Sequence, residues 1–398
     1  MKRREQADLS LRLAQMPPQE DPRQQREGRA IEPVQGRANL FEIIRLFGWL
    51  GVIGIGGPAA HIAMMRRRVV DRDRWVSEDD FAQMVGACAL VPGPNSTEMT
   101  MAIGHRRAGL RGLVLGGAAF IIPAFVIVCV VAFIYEDVLT SLLIAEIRRW
   151  LVPIVAAIIL DAVWGLRSTA IRDWRDGLVV VGALVGAVAG LHELIVLLVL
   201  GIIAVAIRSK PTQKVVLLAA VPLTIANLPT LLAAVSPSLM KIFLVFLQIG
   251  SVIYGSGYVL LVFLESEVVN RGWISTEILF DAISVGQFTP GPVFTTATFI
   301  GWHLGGFAGA VVATLGIFGP SFVFAAFIER VVTWAKRSTV LATFLRGVSS
   351  ASIALMAVVL WRLADEALVD SWTIATFAAA LIVIQSRRAL KRPRHRRA

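Results

Sequence analysis

The sequence contains few of the residues on which enzyme and metal chemistry usually depend. It has two cysteines and five histidines among 398 residues, and only 17% of the residues are charged. Cys88 and Cys129 lie in apolar segments without neighbouring Cys or His, so we expect two small core residues and neither a disulfide nor a metal site. The zinc motif HExxH and the phosphate-binding loop GxxxxGK(S/T) are both missing. We therefore predict no cofactor and no enzymatic activity, a membrane enzyme being the weakest alternative.

Long apolar segments take the place of those residues. Hydrophobic residues make up 56% of the chain, and they occur in blocks such as 110–135 and 178–207. Each block is long enough to cross a bilayer, which takes about 20 helical residues. A soluble α/β enzyme would show shorter apolar runs separated by polar helical faces. The sequence therefore predicts an all-α polytopic membrane protein.

Both ends of the sequence are polar. Residues 1–39 are rich in Gln, Pro and charge without an apolar stretch, so we expect a disordered cytoplasmic tail and not a signal peptide. Residues 387–398 are basic, which is typical of a cytoplasmic tail lying on anionic lipid. We interpret the net charge of +11 as a feature of membrane topology, with lipid as the partner, and predict no nucleic-acid binding.

A pattern of Gly, Pro and Trp occurs twice, at a spacing of about 198 residues. The first copy reads VVDRDRWVSEDDF, LVPGPNST, AIGHRRAGLRG and IIPAF, and the second reads VVNRGWISTEILF, FTPGPVFTT, FIGWHLGGFAG and FGPSF. Duplicated halves of this kind are typical of secondary transporters. We predict two homologous halves with helices broken at Gly/Pro motifs: a first repeat with extra spans over 40–230, and a second repeat over 239–386.

Together these motifs resemble the chromate ion transporter family in its duplicated, two-domain form. The resemblance covers about residues 41–135 and 243–330, and it depends on the Trp after a basic linker, the PGP triplet and the Gly-rich step after Ile-Gly. It implies a bacterial inner-membrane protein that exports chromate, driven by the proton motive force, with sulfate as a related oxyanion. A homodimer is compatible with the sequence.

The positions of Pro, Gly and charge predict the topology. Segments 41–65 and 77–104 are interrupted by Gly and Pro, and their pieces are too short to cross a bilayer, so we expect re-entrant hairpins. The basic residues at 66–74 and 105–107 then lie on the cytoplasmic side with both termini, as the positive-inside rule requires. Five crossings separate the halves, which predicts that the second half is inverted. Arg148 and Arg149 do not fit this orientation, because it places them outside.

The predicted spans are 110–134, 147–166, 177–190, 194–207 and 214–229 before the second half, and 308–328, 340–362 and 371–386 within it. This order places the acidic residues at 136–137 and 365–366 on the outside.

The PGP triplets are the main candidates for a substrate site. A chain break inside the membrane frees backbone N–H groups at the start of the next half-helix, and these groups attract anions together with the helix dipole. The predicted substrate-binding residues are Pro92, Gly93, Pro94, Asn95, Ser96 and Thr97, and in the second half Pro290, Gly291, Pro292, Thr295 and Thr296. The alternative is ordinary helix capping, since Asn95 and Glu98 have the spacing of a capping box.

A second break gives further candidates for the substrate site. Gly56 and Gly57 could bring another helix N-terminus to the same centre, or could serve close helix packing. Arg45 and Arg346 could balance the charge of the anion, and Arg45 could equally extend to the membrane surface.

Proton coupling is predicted at Glu98 and Asp161, because burial favours the neutral form of a carboxyl group. Polar packing between helices is the alternative for Asp161, and a structural hydrogen bond is the alternative for His61, a third candidate. Two other functions also stay open: a passive anion channel built on the same broken helices, and a transporter of sulfate or another oxyanion.

Overall fold

The computed structural model describes residues 39–55, 57–88, 91–137, 141–191, 193–208, 237–253, 259–328 and 339–391, and the regular elements within them are helices. In chain order these are α1 (Leu40–Ile53), α2 (Gly57–Arg66), α3 (Glu78–Cys88), α4 (Asn95–Asp137), α5 (Ser141–Ala170), α6 (Trp174–Val188), α7 (Glu193–Arg208), α8 (Leu239–Val252), α9 (Val259–Leu264), α10 (Thr276–Phe288), α11 (Thr296–Ala326), α12 (Thr339–Ala367) and α13 (Ser371–Lys391). The predicted span 214–229 and the first 38 residues of the predicted tail lie outside the described residues.

The repeat extends over whole halves of the chain, further than the sequence motifs indicate. Helices α1 to α6 recur in the same order and at nearly constant spacing as α8 to α13, while α7 has no counterpart among the described helices. Even local irregularities recur: a π-helical turn follows α2 at Arg67–Arg72 and follows α9 at Glu265–Val269. The helix α13 continues to Lys391, so the predicted C-terminal tail begins as helix.

The predicted breaks at the Gly/Pro motifs are present in both halves. Helix α1 ends at Ile53 before α2 starts, and the PGP triplet separates α3 from α4. The pieces are 14 residues or shorter in α1, α2 and α3. At about 1.5 Å per residue, none of these three can cross an apolar layer of about 30 Å.

Helices α4 and α11 are each bent back on themselves at a glycine. Gly109 has a φ of 60° and Gly306 a φ of 58°, in the left-handed region that favours glycine. The two arms meet so closely that a side chain on either partner would overlap with backbone, in the pairs Gly104 with Gly112 and Gly301 with Gly309. Each helix is therefore an antiparallel hairpin, with short arms α4a (95–107) and α11a (296–304) and long arms α4b (110–137) and α11b (307–326).

Three stretches in the described part of the chain are long and apolar enough to cross a membrane: Asn95–Glu136, Val293–Ala326 and Thr343–Trp361. Shorter apolar helices are Ile195–Arg208, Leu239–Val252 and Ser371–Ser386. Because the first two stretches contain the reversals, their crossing parts are the long arms; α4b alone is about 40 Å long. The short arms reach only part of that distance.

The two halves are antiparallel to each other. Gly117 of α4b lies against Phe322 of α11b, whereas Phe125 farther along α4b packs its ring against Phe307 at 6.1 Å between centroids. Helix α5 packs on α13, and its counterpart α12 packs on α6. Such reciprocal contacts define a pseudo-two-fold axis perpendicular to the long helices. Because this axis lies in the membrane plane, one half is inverted relative to the other, as the charge pattern predicted.

Two equivalent ion pairs lie on either side of this axis. Arg149 of α5 binds Asp370 at 2.8 Å, and Arg346 of α12 binds Asp173 at 3.0 Å. Each aspartate also caps the helix that follows it, α13 or α6. The cation that disagreed with the predicted orientation, Arg149, is thus neutralised by a carboxylate distant in the sequence.

The ion pair of Arg346 is part of a group of four charged residues, whereas that of Arg149 contains two. Arg346 and Arg208 both bind Asp176 as well as Asp173, and Asp176 is fully buried. The side chain counterpart of Asp176 in the second half is Thr373, which occupies the same capping box without a charge. Asp176 therefore adds the charge that holds α7, the helix outside the repeat.

Other polar contacts join residues that the topology assigns to one side. Arg66 binds Glu78 and Arg106 binds Asp80, all four being predicted cytoplasmic. On the side predicted to face outwards, Glu136 accepts a hydrogen bond from Trp302 at 3.0 Å. These groupings support the predicted order of crossings.

The inverted repeat predicts opposite accessibility for two equivalent exposed residues, Arg72 and Asn270. In a background with Cys88 and Cys129 replaced by alanine, we expect R72C and N270C to react with a membrane-impermeant maleimide from opposite faces. Labelling is measured in intact cells and in inverted vesicles. Labelling of both positions from the same face would contradict the inversion.

We expect the substitution of Asp176 by threonine, the residue at the equivalent position of the second half, to preserve the capping box. It leaves Arg208 and Arg346 to share Asp173. Loss of one member of a buried ion pair costs on the order of 3–5 kcal/mol. We expect D176T to lower the melting temperature of the detergent-solubilised protein strongly. The matched change R149A breaks the half-exposed pair of Arg149 and Asp370, which is worth about 0–1 kcal/mol, and should shift the melting temperature little. Equal shifts would contradict this assignment.

Candidate functional site

The four chain breaks meet in pairs through backbone hydrogen bonds between the halves. The Gly93 N–H of the first PGP triplet donates to the Ile253 carbonyl at the end of α8, at 2.7 Å. The Gly291 N–H of the second triplet donates to the Gly54 carbonyl at the end of α1, at 2.8 Å. All four residues are buried. The backbone groups freed by the breaks are thereby satisfied, as they must be at membrane depth.

Glycine is required at the centre of both triplets. Gly93 has a φ of +137° and Gly291 a φ of +103°, and both are packed too tightly for a side chain. A methyl group on Gly93 would collide with a Glu98 carboxyl oxygen and lie 2.6 Å from Ser321 Oγ. A methyl group on Gly291 would instead lie 2.6 Å from the Ala124 methyl group. Ser321 and Ala124 are equivalent in the repeat, so each triplet faces the long arm of the other half's hairpin.

The start of α4a carries a cluster of buried polar atoms without a hydrogen-bond partner among the described residues. These atoms are Asn95 Oδ1, Thr97 Oγ1, both carboxyl oxygens of Glu98 and, from the other half, Ser321 Oγ. Thr97, Glu98 and Ser321 have no exposed surface. Unpartnered buried polar atoms are costly, and they are rare enough in proteins that a cluster of them indicates a site for a ligand or water. We call these four residues the orphan cluster.

The predicted capping box at this helix is absent. Asn95 is the first residue of α4, and neither its side-chain oxygen nor Glu98 makes the hydrogen bonds that such a box requires. The capping alternative is therefore wrong for this pair. Ser96, between them, is also buried.

At the equivalent helix start in the second half, two threonine hydroxyl groups bond to backbone carbonyls of the same segment, and no side chain of the described residues caps the helix. Thr295 Oγ1 donates to the Pro292 carbonyl and Thr296 Oγ1 donates to the Val293 carbonyl, both at 2.8 Å. Val293 and Phe294 stand where the first half has Asn95 and Ser96. The second triplet, Pro290 to Pro292, is thus a structural counterpart of Pro92 to Pro94 without free polar side chains in this part of the structure.

The other predicted site residues, Arg45, Arg346 and Asp161, are not members of the orphan cluster. Arg45 lies on the exposed face of α1, where the alternative of extension to the membrane surface places it. The guanidinium group of Arg346 is engaged by Asp173 and Asp176 and is not part of the orphan cluster. Asp161 is half-buried on α5 and has its own interaction partner.

The second predicted break is held by a histidine. His61 is buried and donates from Nε2 to the Gly54 carbonyl at 2.9 Å, the same carbonyl that accepts from Gly291. This is the structural hydrogen bond considered for His61. Gly57 has a φ of +74° with open space at its Cβ position, so it serves the turn and not close helix packing. Gly56 lies outside the described residues.

Sequence reasoning missed Ser321. It lies in the FGPSF motif, where the first half has IIPAF, so the aligned repeats already contained the difference between Ser321 and Ala124. Only the structure brings this position to the PGP triplet of the other half.

Comparison with known proteins agrees with this architecture. A model described as Chromate transporter matches residues 41–206 and 240–392, which together cover both halves. The chain belongs to the chromate transporter family. Its relatives include the chromate transport protein of Pseudomonas aeruginosa, 30% identical over 82% of this chain and 81% of that protein. A probable chromate transport protein of Synechococcus elongatus is 28% identical over 87% of this chain and 90% of its own length.

A third relative, the chromate transport protein of Cupriavidus metallidurans, is 27% identical over 87% of each chain. No solved structure matches the chain significantly. The names of these relatives point to a transporter and not an enzyme, and the apolar helices support a multi-pass membrane protein.

The difference between the two helix starts can be tested at equivalent threonines. Thr97 has a free hydroxyl in the described structure, so T97V should leave the melting temperature nearly unchanged but raise the KM for chromate transport several-fold. T295V removes a hydrogen bond worth about 1 kcal/mol and should lower stability while leaving KM unchanged. Melting curves and vesicle transport rates measure both. The reverse pattern would assign the free site to the second half.

Proposed function

We propose that the protein is a secondary active transporter that exports chromate, or a similar oxyanion such as sulfate, from the cytoplasm with the proton motive force as its energy source. The observation that carries this proposal is the orphan cluster at the start of α4a. A transporter needs a buried site whose polar groups can bind a ligand. The buried polar atoms of this cluster, which lack hydrogen-bond partners in the described structure, support such a role.

The chemistry of the cluster suits a tetrahedral oxyanion. The free hydroxyl groups of Thr97 and Ser321 can each donate a hydrogen bond, and the Asn95 side chain can do so through its NH2 group, although its unpartnered atom is the oxygen. Asn95 and Thr97 belong to the first turn of α4a, and the dipole of that helix N-terminus favours negative charge. Gly93 has no side chain of its own, and the Glu98 carboxyl group and Ser321 Oγ fill the space in front of it, so a ligand reaches this backbone when the Glu98 side chain moves away. An oxyanion with four acceptor oxygens could satisfy several of these donors at once.

Glu98 supplies the proton-coupling group in this proposal. Its carboxyl group is buried on the first turn of α4a and has no partner in the described structure. A carboxylate next to a divalent anion would repel it, so protonation of Glu98 and occupation of the site are linked. Asp161 is the second candidate, supported by its half-buried place on α5.

Alternating access follows naturally from the inverted repeat. Because the halves are related by a pseudo-two-fold axis in the membrane plane, an exchange of their conformations converts a site open to one side into a site open to the other. We propose that both termini lie on the cytoplasmic side of the inner membrane, on the basis of the basic residues that group there. A passive channel would need no such exchange.

Uptake of chromate into inverted vesicles tests the proposal, because their interior corresponds to the outside of the cell. We expect respiring vesicles that contain the protein to accumulate chromate above its external concentration, and a protonophore to abolish the accumulation. Vesicles without the protein are the control.

If chromate only equilibrates across the membrane and the protonophore has no effect on its uptake, the result indicates a channel. Absence of chromate uptake combined with uptake of sulfate would identify the substrate as the other oxyanion. Inhibition of chromate uptake by excess sulfate would show that both compete for one site.

A further inference from the structure

The two PGP triplets face chemically different surroundings, although their backbones are equivalent. Gly93 faces the Glu98 carboxyl group and Ser321 Oγ, whereas Gly291 faces the Ala124 methyl group and the carbonyl of Gly51. In the second half, Thr296 stands at the position of Glu98 and its hydroxyl group is used within its own helix start. We call the space in front of the central glycine of each triplet a cradle. The cradle at Gly93 is thus polar, and the cradle at Gly291 is apolar.

The polar cradle is formed by both halves. A Glu98 oxygen and Ser321 Oγ both lie within contact distance of the position that a Gly93 methyl group would take, yet neither forms a hydrogen bond within the described residues. Glu98 comes from α4a and Ser321 from α11b. An oxyanion bound in front of Gly93 would therefore touch Ser321, and it would lie where the Glu98 carboxyl group now is.

We propose that the chain has a single oxyanion position, between Gly93 and Ser321, which the ionised Glu98 carboxylate and the substrate occupy in turn. This inference rests on the proposed function. The Ser321 hydroxyl group donates a hydrogen bond to the oxyanion. Glu98 must be protonated when the oxyanion is bound, because two anions at contact distance in a buried site repel strongly. The proton then leaves the cell with the oxyanion, so a net charge of −1 moves outwards, and the membrane potential, negative inside, is the part of the proton motive force that drives export. The cradle at Gly291 supports the fold and binds no anion.

Few other charges face Glu98 from the elements packed around it. The buried Cys88 thiol lies at the end of α3, and the buried His61 imidazole lies on α2 after the first break. The charged residues Arg66, Asp80 and Arg106 pair at the ends of α2, α3 and α4a. On α11b, the residues around Ser321 are Gly, Pro and Phe. Residues 254–258 lie outside the described part of the chain.

Binding of chromate to the purified full-length protein tests the proposal, measured by equilibrium dialysis at alkaline pH, where chromate is a dianion throughout. We expect one chromate per chain. S321A should weaken binding about tenfold, the effect of one hydrogen bond to a charged group. The mirror change A124S, which adds a hydroxyl group to the apolar cradle, is the matched control and should leave affinity and stoichiometry unchanged.

Glu98 gives an independent test that does not depend on the S321A variant. Wild-type affinity should fall as pH rises, by up to tenfold per pH unit once Glu98 ionises, because binding then requires uptake of a proton. In E98Q, whose side chain is neutral and can donate a hydrogen bond, binding should persist and its pH dependence should vanish. Melting curves of each variant establish that it is folded.

The outcomes separate the two proposals. If the folded wild-type protein binds neither chromate nor sulfate, the proposed function itself fails. If it binds chromate but S321A and A124S bind equally well, or if two ions bind per chain, only the single-site inference fails. If the pH dependence persists in E98Q, another group, such as His61 or Cys88, binds the proton, and the role of Glu98 is overturned.

Discussion

The structure depends on two backbone hydrogen bonds that join the halves, from Gly93 to Ile253 and from Gly291 to Gly54. A chain broken inside a membrane leaves N–H and C=O groups that lipid cannot satisfy, and each such group costs several kcal/mol. Here each half supplies the carbonyl that the other half's triplet needs. Neither half can complete its own broken helices, which explains why a re-entrant architecture of this kind consists of two interlocked copies.

Because the copies are inverted, every such contact occurs twice with opposite orientation. The pairs Arg149–Asp370 and Arg346–Asp173 illustrate the consequence: equivalent side chains make equivalent bonds towards opposite ends of the molecule. The pairs are nevertheless unequal, since Asp176 and Arg208 reinforce one of them. The two ends of the molecule therefore differ in their polar contacts although the backbone repeats.

The sequence predicted the features that depend on local chemistry. Pro and Gly weaken helices most where they occur together, so the breaks at the PGP triplets and the duplication were evident from residues alone, whereas the single prolines Pro123, Pro153 and Pro320 lie within helices. The extension of the repeat through α5 and α6 was missed, because these helices share with α12 and α13 only scattered residues, such as Arg149 with Arg346 and Trp164 with Trp361, and no continuous motif. The ion-pair partners of the two arginines are more than 150 residues away, and no local pattern reveals such a distance. For the same reason Arg346 was considered as an anion ligand although it belongs to an ion pair.

The loss of symmetry at the two cradles has a physical reason. A duplicated chain begins with two equivalent cradles, both formed by a triplet, a helix N-terminus and the long arm of the other half. Two divalent anions bound on either side of the pseudo-two-fold axis would repel each other across a medium of low dielectric constant, so filling the second cradle would cost much of the affinity of the first. Donors in a cradle that stays empty would be buried without partners, which is itself costly. The second cradle avoids that cost with Ala124 of the first half, with Val293 and Phe294, and with threonines whose hydroxyl groups bond to carbonyls of their own segment. A group of buried polar atoms without partners is tolerated where a ligand can satisfy it, and in the described structure such a group lies at the start of α4a and on Ser321.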